Sequence, residues 1–346
     1  MRWPDLVSGL VRREDLEPDA ARWAMSQILD GSTTPAQVAG FAVALRAKGE
    51  TVWEVSALAE AMLDVATPVD LDREAVDIVG SGADRANTVN VSTMAAVVAA
   101  AAGARVVKHG NRAASSMCGT ADVLEAVGVA IDVPPQRQPA VLAATGLTFL
   151  FAPLYHPALR HAATARRELG IATTFNFLGP LANPARPVAQ AVGVADLRMA
   201  ELVAGVLARR GSRGLVFYGD DGLDELTTTT TSRVWVIGDG QVRADELDPV
   251  QIGIPRAEKS QLVGGLPEHN AEVLRQTLAG APGPVRDIVL LNAAAALVAY
   301  HGPDQRPVAE QLGQRVDEAA AAIDSGAASR LLEHWVSVSQ EQRGSA

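Results

Sequence analysis

Nine residues from Lys108 to Ser116, KHGNRAASS, place two cations, a histidine, an asparagine and two terminal hydroxyls between apolar runs. No packed interior accommodates that composition. Val106 and Val107 before it read as the end of a short buried strand, and Gly119 to Val127 after it, GTADVLEAV, as a helix. A polar loop from strand to helix belongs at the carboxyl end of a sheet, where open α/β folds hold their ligands. Its Lys, Arg, Ser, Asn and backbone N–H donors suit a ligand rich in anionic oxygens, polyphosphate first.

Two more loops of this kind follow apolar strands. Ala75 to Val79 runs into Gly80 to Thr93, GSGADRANTVNVST, and then into a helix. Its glycines let backbone amides approach an anion, and the helix N-terminus adds unpaired N–H groups. It is neither a Walker A loop nor the dinucleotide fingerprint, and taken alone it reads equally well as an ordinary turn capped by Ser92. The strand Leu215 to Tyr218 ends in GDDGLDE, with Asp220, Asp221, Asp224 and Glu225. Adjacent carboxylates repel unless a cation joins them, and magnesium takes carboxylate, water and phosphate oxygens. Alone, such a turn is more often a solvated loop.

Arg166, on a helix expected from His156 to Leu169, offers a planar fork to a carboxylate, whereas Arg167 reads as solvating. The six histidines show no metal-ligand spacing, and His109 reads as a wall or donor in the site rather than a base. Cys118 has no evident activating partner, so covalent catalysis finds no support.

Residues 1–70 carry helix signals only, including capping boxes at Thr34 with Gln37 and at Thr51 with Glu54. They predict a small α-helical domain with Trp23, Ile28, Phe41, Leu45, Trp53, Leu58 and Met62 in its core. Strands and helices alternate from residue 75 onward, predicting a large α/β domain over 75–346 with a mostly parallel central sheet. The helix from His156 to Leu169 and FNFLGPLANP are expected to return to the small domain, completing it near 170–188, and the tail from Gln340 is expected to fray. A net charge of −10 argues against nucleic-acid backbones and anionic membranes as partners. A single cysteine fits a reducing cytoplasm, and the first residues lack the apolar run of a secretory signal.

DIVGSGADRANTVNVST, KHGNRAASSMCGTADVLEAVGV, RRELGIATTFNFLGPLANP and GDDGLDELTTTTT resemble, in this order, the motif blocks of the anthranilate phosphoribosyltransferase family. The resemblance covers nearly the whole chain. It implies transfer of phosphoribose from phosphoribosyl pyrophosphate to the amino group of anthranilate, in tryptophan synthesis, on a nucleoside phosphorylase-like fold. It further implies two magnesium ions per subunit and a cytoplasmic homodimer joined through the small helical domain.

Carried over by motif, the phosphoribosyl pyrophosphate site takes Gly80, Ala83, Asp84, Thr88, Asn90, Val91, Ser92 and Thr93 from the first loop. The second loop adds Lys108, His109, Gly110, Asn111, Arg112, Ala113, Ala114, Ser115 and Ser116, with Thr120 on the next helix. Gly80, Asn111 and Arg166 fall on anthranilate, and Ser92, Asp224 and Glu225 on magnesium. The first loop departs from the family's Gly-Thr-Gly-Gly-Asp by reading Gly80-Ser81-Gly82-Ala83-Asp84, followed by Arg85. Pyrimidine nucleoside phosphorylases and non-catalytic nucleic-acid-binding relatives share the fold. Asn111, Arg166 and the acid pair oppose the first alternative, and the absence of a basic stripe opposes the second.

Overall fold

Local signals decide the first four helices. The computed structural model describes residues 1–82, 84, 86–113 and 116–344. Helices α1 (Trp3–Val11), α2 (Pro18–Leu29), α3 (Pro35–Lys48) and α4 (Val52–Asp64) form a bundle. Both capping boxes are made: Thr34 and Thr51 each accept the backbone N–H three residues on, and Gln37 and Glu54 reach back to the cap amides. Trp3 packs on Trp23 and edge-on to Phe41, at centroid distances of 5.3 and 5.9 Å. Trp53 departs from its expected place in this core: it is 53% exposed, with the Arg209 guanidinium over its ring. On an amphipathic helix it occupies the outer face, where an indole stays half-covered by a cation.

The sheet follows through β1 (Val76–Gly80), α5 (Val91–Ala101), β2 (Val106–Gly110), α6 (Thr120–Val127), α7 (Gln138–Thr145) and β3 (Leu147–Phe151). Short α8 (Ala152–Tyr155), α9 (Arg160–Leu169) and α10 (Thr174–Leu178) precede β4 (Ala189–Gly193), α11 (Leu197–Arg209) and β5 (Arg213–Gly219). The hairpin β6 (Ser232–Gly238) and β7 (Gln241–Leu247) turns at Asp239 and Gly240, both at positive φ. Helices α12 (Pro267–Leu278), α13 (Pro284–His301), α14 (Val308–Asp324) and α15 (Ala327–Arg343) complete the chain.

The seven strands lie in the order β3-β2-β1-β4-β5-β6-β7, parallel through β5 and antiparallel for the last two. The chain winds outward from β1 to β2 and β3, then returns to β4 on the other side of β1. That reversal makes a switch point at the carboxyl ends of β1 and β4, where a crevice opens.

Helix α13 is buried on nearly every face, in one core with α5 and the inner strands. A second core joins the four-helix bundle to Ala162 and Ala165 of α9, Phe175 and Phe177 in α10, and Val203 and Leu207 of α11. Helices α9 and α10 thus both pack against the bundle. The expected single helix over His156–Leu169 is instead a 3-10 turn at Pro157–Leu159 followed by α9. The C-terminal tail also differs from expectation. It stays helical to Arg343, because Gln340 donates to Gly128 O and Arg343 pairs with Asp132.

Candidate active site

Lys108, His109 and Gly110 belong to β2 itself, so the expected loop begins only at Asn111. Two polar side chains can end a buried strand because the neighbouring strand supplies partners. Asp77 on β1 is fully buried and accepts the His109 backbone N–H at 3.2 Å and the Asn183 amide at 2.9 Å. Burial pushes its carboxyl up to about 6, against the opposing pull of Lys108. The Lys108 ammonium, equally buried, donates to Ile78 O and to Ser92 Oγ. Desolvation lowers its pKa, while Asp77, Glu225 and Asp224 oppose that shift.

His109 Nδ1 lies 3.3 Å from Gly179 O, and its ring meets His156 edge-on at 5.5 Å. Burial, with His156 beside it, drives the His109 pKa down to about 3. The buried imidazole is neutral at ordinary pH and lines the cleft with one nitrogen held by the Gly179 carbonyl.

The acidic turn after β5 divides. Asp221 accepts from Thr227 and Thr229, and Asp220 from Thr231 and Arg233, so both brace the threonine-rich loop away from the crevice. Asp224 and Glu225 turn inward. Asp224 Oδ2 accepts Gly82 N–H at 2.6 Å and lies against Gly80, where any Cβ would overlap it. Gly193 on β4 is needed for the same reason, since a Cβ there would overlap the Asp224 backbone carbonyl. Burial first, and then Asp84, raises the Asp224 pKa to about 7. Burial and Asp224 raise that of Glu225, which Lys108 and the Ser92 backbone N–H partly offset.

Two buried carboxylates held above their usual pKa, with the Ser92 hydroxyl beside them, form an oxygen donor set that suits a divalent cation. Among the described residues no three His, Cys, Asp or Glu side chains converge as a complete metal cage. Magnesium needs none: it binds through one or two carboxylates and completes its octahedron with water and substrate phosphate.

One cleft of about 330 Å3 gathers these groups. The first loop lines it with Gly80, Asp84, Thr88, Asn90, Val91 and Ser92. The second contributes Lys108 through Ala113, then Ser116 and Thr120, facing Arg166, Asp224 and Glu225. Thr93 is an exception to the expected set. Its side chain is buried within α5, off the cleft, because helical rotation turns it away from Ser92. Arg112 also lines the cleft, but its guanidinium pairs with Asp122 and Glu125 on α6 and is held there above its usual range. Ala83, Arg85, Ala114 and Ser115 lie outside the described residues.

Asp122 organises the second loop by accepting both Ala113 N–H and Gly119 N–H at 2.9 Å. Arg166 has no carboxylate partner among the described residues; its guanidinium sits 5.8 Å from the Phe175 ring centroid, and burial lowers its pKa. His156, Phe175 and Asn176 also line the cleft and were not singled out in the sequence. The block RRELGIATTFNFLGPLANP carries two of them, so motif membership was the available signal.

A helical bundle beside an α/β domain, with polar loops and an acid pair at the switch point, defines a glycosyl transferase. Residues 4–66 match the helical bundle domain of the glycosyl transferase family, and residues 72–329 match its a/b domain. The anthranilate phosphoribosyltransferase of Thermobifida fusca is 59% identical over 98% of this chain and 97% of its own length. The crystal structure of anthranilate phosphoribosyltransferase from Thermus thermophilus superposes with a TM-score of 0.89, at 41% identity, over 97% of this chain and 99% of that one. The Saccharomyces cerevisiae enzyme in complex with PRPP and Mg gives 0.88 at 28% identity, over 98% of both chains. The same yeast enzyme with 4-fluoroanthranilate gives 0.85 at 26% identity, over 98% of this chain and 99% of that one. This chain belongs to the anthranilate phosphoribosyltransferase family.

Proposed function

We propose that this protein transfers the phosphoribosyl group from phosphoribosyl pyrophosphate to the amino group of anthranilate, releasing pyrophosphate, in tryptophan biosynthesis. The observation that carries this reading is the convergence of three strand-end loops on one cleft, lined also by Arg166, which has no carboxylate partner among the described residues, and by the acid pair.

Asn90, Ser92 and the first-loop amides hold the pyrophosphate end beside the N-terminus of α5. Ser116 and the backbone of Asn111 to Ala113 close over it from the second loop. Lys108 gives the base of the cleft positive charge while remaining sequestered from water. Asp224, Glu225 and Ser92 would hold magnesium, which when bound neutralises the departing pyrophosphate. Arg166 takes the anthranilate carboxylate in a bidentate fork, and Asn111 orients the amine toward the anomeric carbon.

As the C–O bond to pyrophosphate breaks, positive charge grows on the ribose. The amine lone pair then forms the new C–N bond and its proton departs to solvent or phosphate oxygen. Neither histidine of the cleft is placed as a general base, since His109 and His156 are buried and engaged with backbone carbonyls. Positioning and charge stabilisation carry the reaction.

Several finer features belong to the same reading. These are two magnesium ions per subunit, a small domain of residues 1–70 completed near 170–188, a large domain over 75–346, and a cytoplasmic homodimer through the small domain. Exposed Val11 and Val43 on the bundle supply apolar surface for such a contact. No helix of the described residues is long and apolar enough to cross a membrane.

The deciding assay follows anthranilate fluorescence. Its loss on adding phosphoribosyl pyrophosphate with magnesium, and its persistence with chelator, supports the reading. Phosphate-dependent cleavage of thymidine or uridine in its place would overturn it.

A further inference from the structure

Asn270 lies on α12, 180 residues along the chain from the first loop, yet it is buried against that loop. Its environment fixes its orientation. The Gly265 backbone N–H can only donate, so the Asn270 Oδ1 faces it, at 2.7 Å. The Nδ2 group must then face Asn90, whose Oδ1 accepts at 2.9 Å. The Asn90 Nδ2 is thereby turned toward Cys118 O, a pure acceptor in the second loop, at 3.1 Å.

A relay of two amides thus runs between backbone groups of opposite and unchangeable polarity. An amide nitrogen carries two hydrogens, and Cys118 O takes only one of those on Asn90. The second N–H remains for a ligand in the cleft that Asn90 lines.

The backbone reinforces this arrangement. Thr88 and Val263 form an antiparallel bridge, Val89 N–H donates to Leu262 O at 3.0 Å, and Gly264 N–H donates to Asn87 O at 2.8 Å. Segment 262–264 is therefore a strap along the first loop. Gly264 is required there, since a Cβ would press on the Asn270 amide and on Thr88 O.

We propose that Asn270 is a positioning residue for phosphoribosyl pyrophosphate: it sets the Asn90 amide so that its nitrogen, not its oxygen, is offered to the pyrophosphate. This rests on the reading of Asn90 as a ligand of that substrate. Removing Asn270 leaves Asn90 free to rotate, and an oxygen turned toward phosphate is repelled by it.

The test is a double-mutant cycle on the full chain, with the Kd of phosphoribosyl pyrophosphate measured by calorimetry in the presence of magnesium, alongside the KM of each substrate. Asn270→Ala is expected to raise the Kd and KM for phosphoribosyl pyrophosphate by about tenfold, with the KM for anthranilate little changed. Asn270→Ser, which keeps an oxygen near Gly265 but cannot span to Asn90, should give the same loss and guards against misfolding of the alanine variant. In an Asn90→Ala background either change should have no further effect on the Kd.

A second, equal loss in that background would overturn the proposal, because Asn270 would then act through the strap alone. An unchanged Kd in folded Asn270→Ser would overturn it too. If Asn90→Ala by itself leaves the Kd unchanged, the site assignment of Asn90 fails instead, which separates the two readings.

Discussion

The Asp224 carboxylate rests on the Cα of Gly80 and takes the Gly82 N–H at 2.6 Å, so the acid of the third loop is clamped into the turn of the first. Only glycine permits that approach. Gly80→Ala should therefore displace Asp224 and lower kcat/KM by about a hundredfold, since misplacing a charge-bearing group by an ångström costs on that order. Steady-state kinetics by anthranilate fluorescence, with thermal melting as a control for folding, decide this. Unchanged kinetics would show that the contact is incidental.

The acid pair gives a stability signature of its own. The folded-state pKa of Asp224 is raised to about 7, above its usual 3.8. A raised carboxyl pKa means stability that is present at low pH and lost as pH rises through the folded value. In metal-free protein, unfolding free energy should fall as pH rises from about 4 to about 7, by at most about 1.4 kcal/mol per unit, and level off above that. Asp224→Asn should flatten the fall while abolishing magnesium-dependent turnover. Denaturant melts across that range, with and without magnesium and pyrophosphate, provide the comparison.

His109 works in the opposite direction. Its folded pKa is depressed to about 3, so the unfolded chain binds a proton between pH 6.5 and 3 that the folded chain refuses. Stability should therefore decline as pH falls below 6.5, and burial of His156 adds to the decline. His109→Gln should weaken that acid sensitivity in melts at pH 5 and 7.5.

Arg166 has no carboxylate partner within the described protein, so replacing it should cost little folding stability. Arg166→Lys keeps the charge but loses the fork, and should raise the KM for anthranilate by about tenfold while leaving that for phosphoribosyl pyrophosphate nearly unchanged. A melting curve and two substrate titrations suffice to check this.

Signals that act within a few residues could be read from the sequence. The boxes at Thr34 and Thr51 and the strand-end loops are of this kind, whereas the assignment of Asp224 and Glu225 to the site comes from the family resemblance, since alone that turn reads as a solvated loop. Trp53 is expected in the core and lies outside it, because hydrophobicity alone does not say which face of α4 is covered. Lys108 and His109 looked like loop residues because their compensation lies elsewhere, in Asp77 and in Gly179 O. Asp77 itself sits in an apolar strand and finds Asn183 across 106 residues of chain, while Asn90 finds Asn270 across 180. Such pairs leave no periodicity. They exist only once the sheet has closed.

The central claim is a coupled transfer at the seam of two loops, and its most direct measurement is the stoichiometry of pyrophosphate released to anthranilate consumed. With magnesium present, the two should be equal, and neither should proceed when the partner substrate or the metal is withheld. Pyrophosphate release without loss of anthranilate, or turnover undiminished by chelator, would contradict the account.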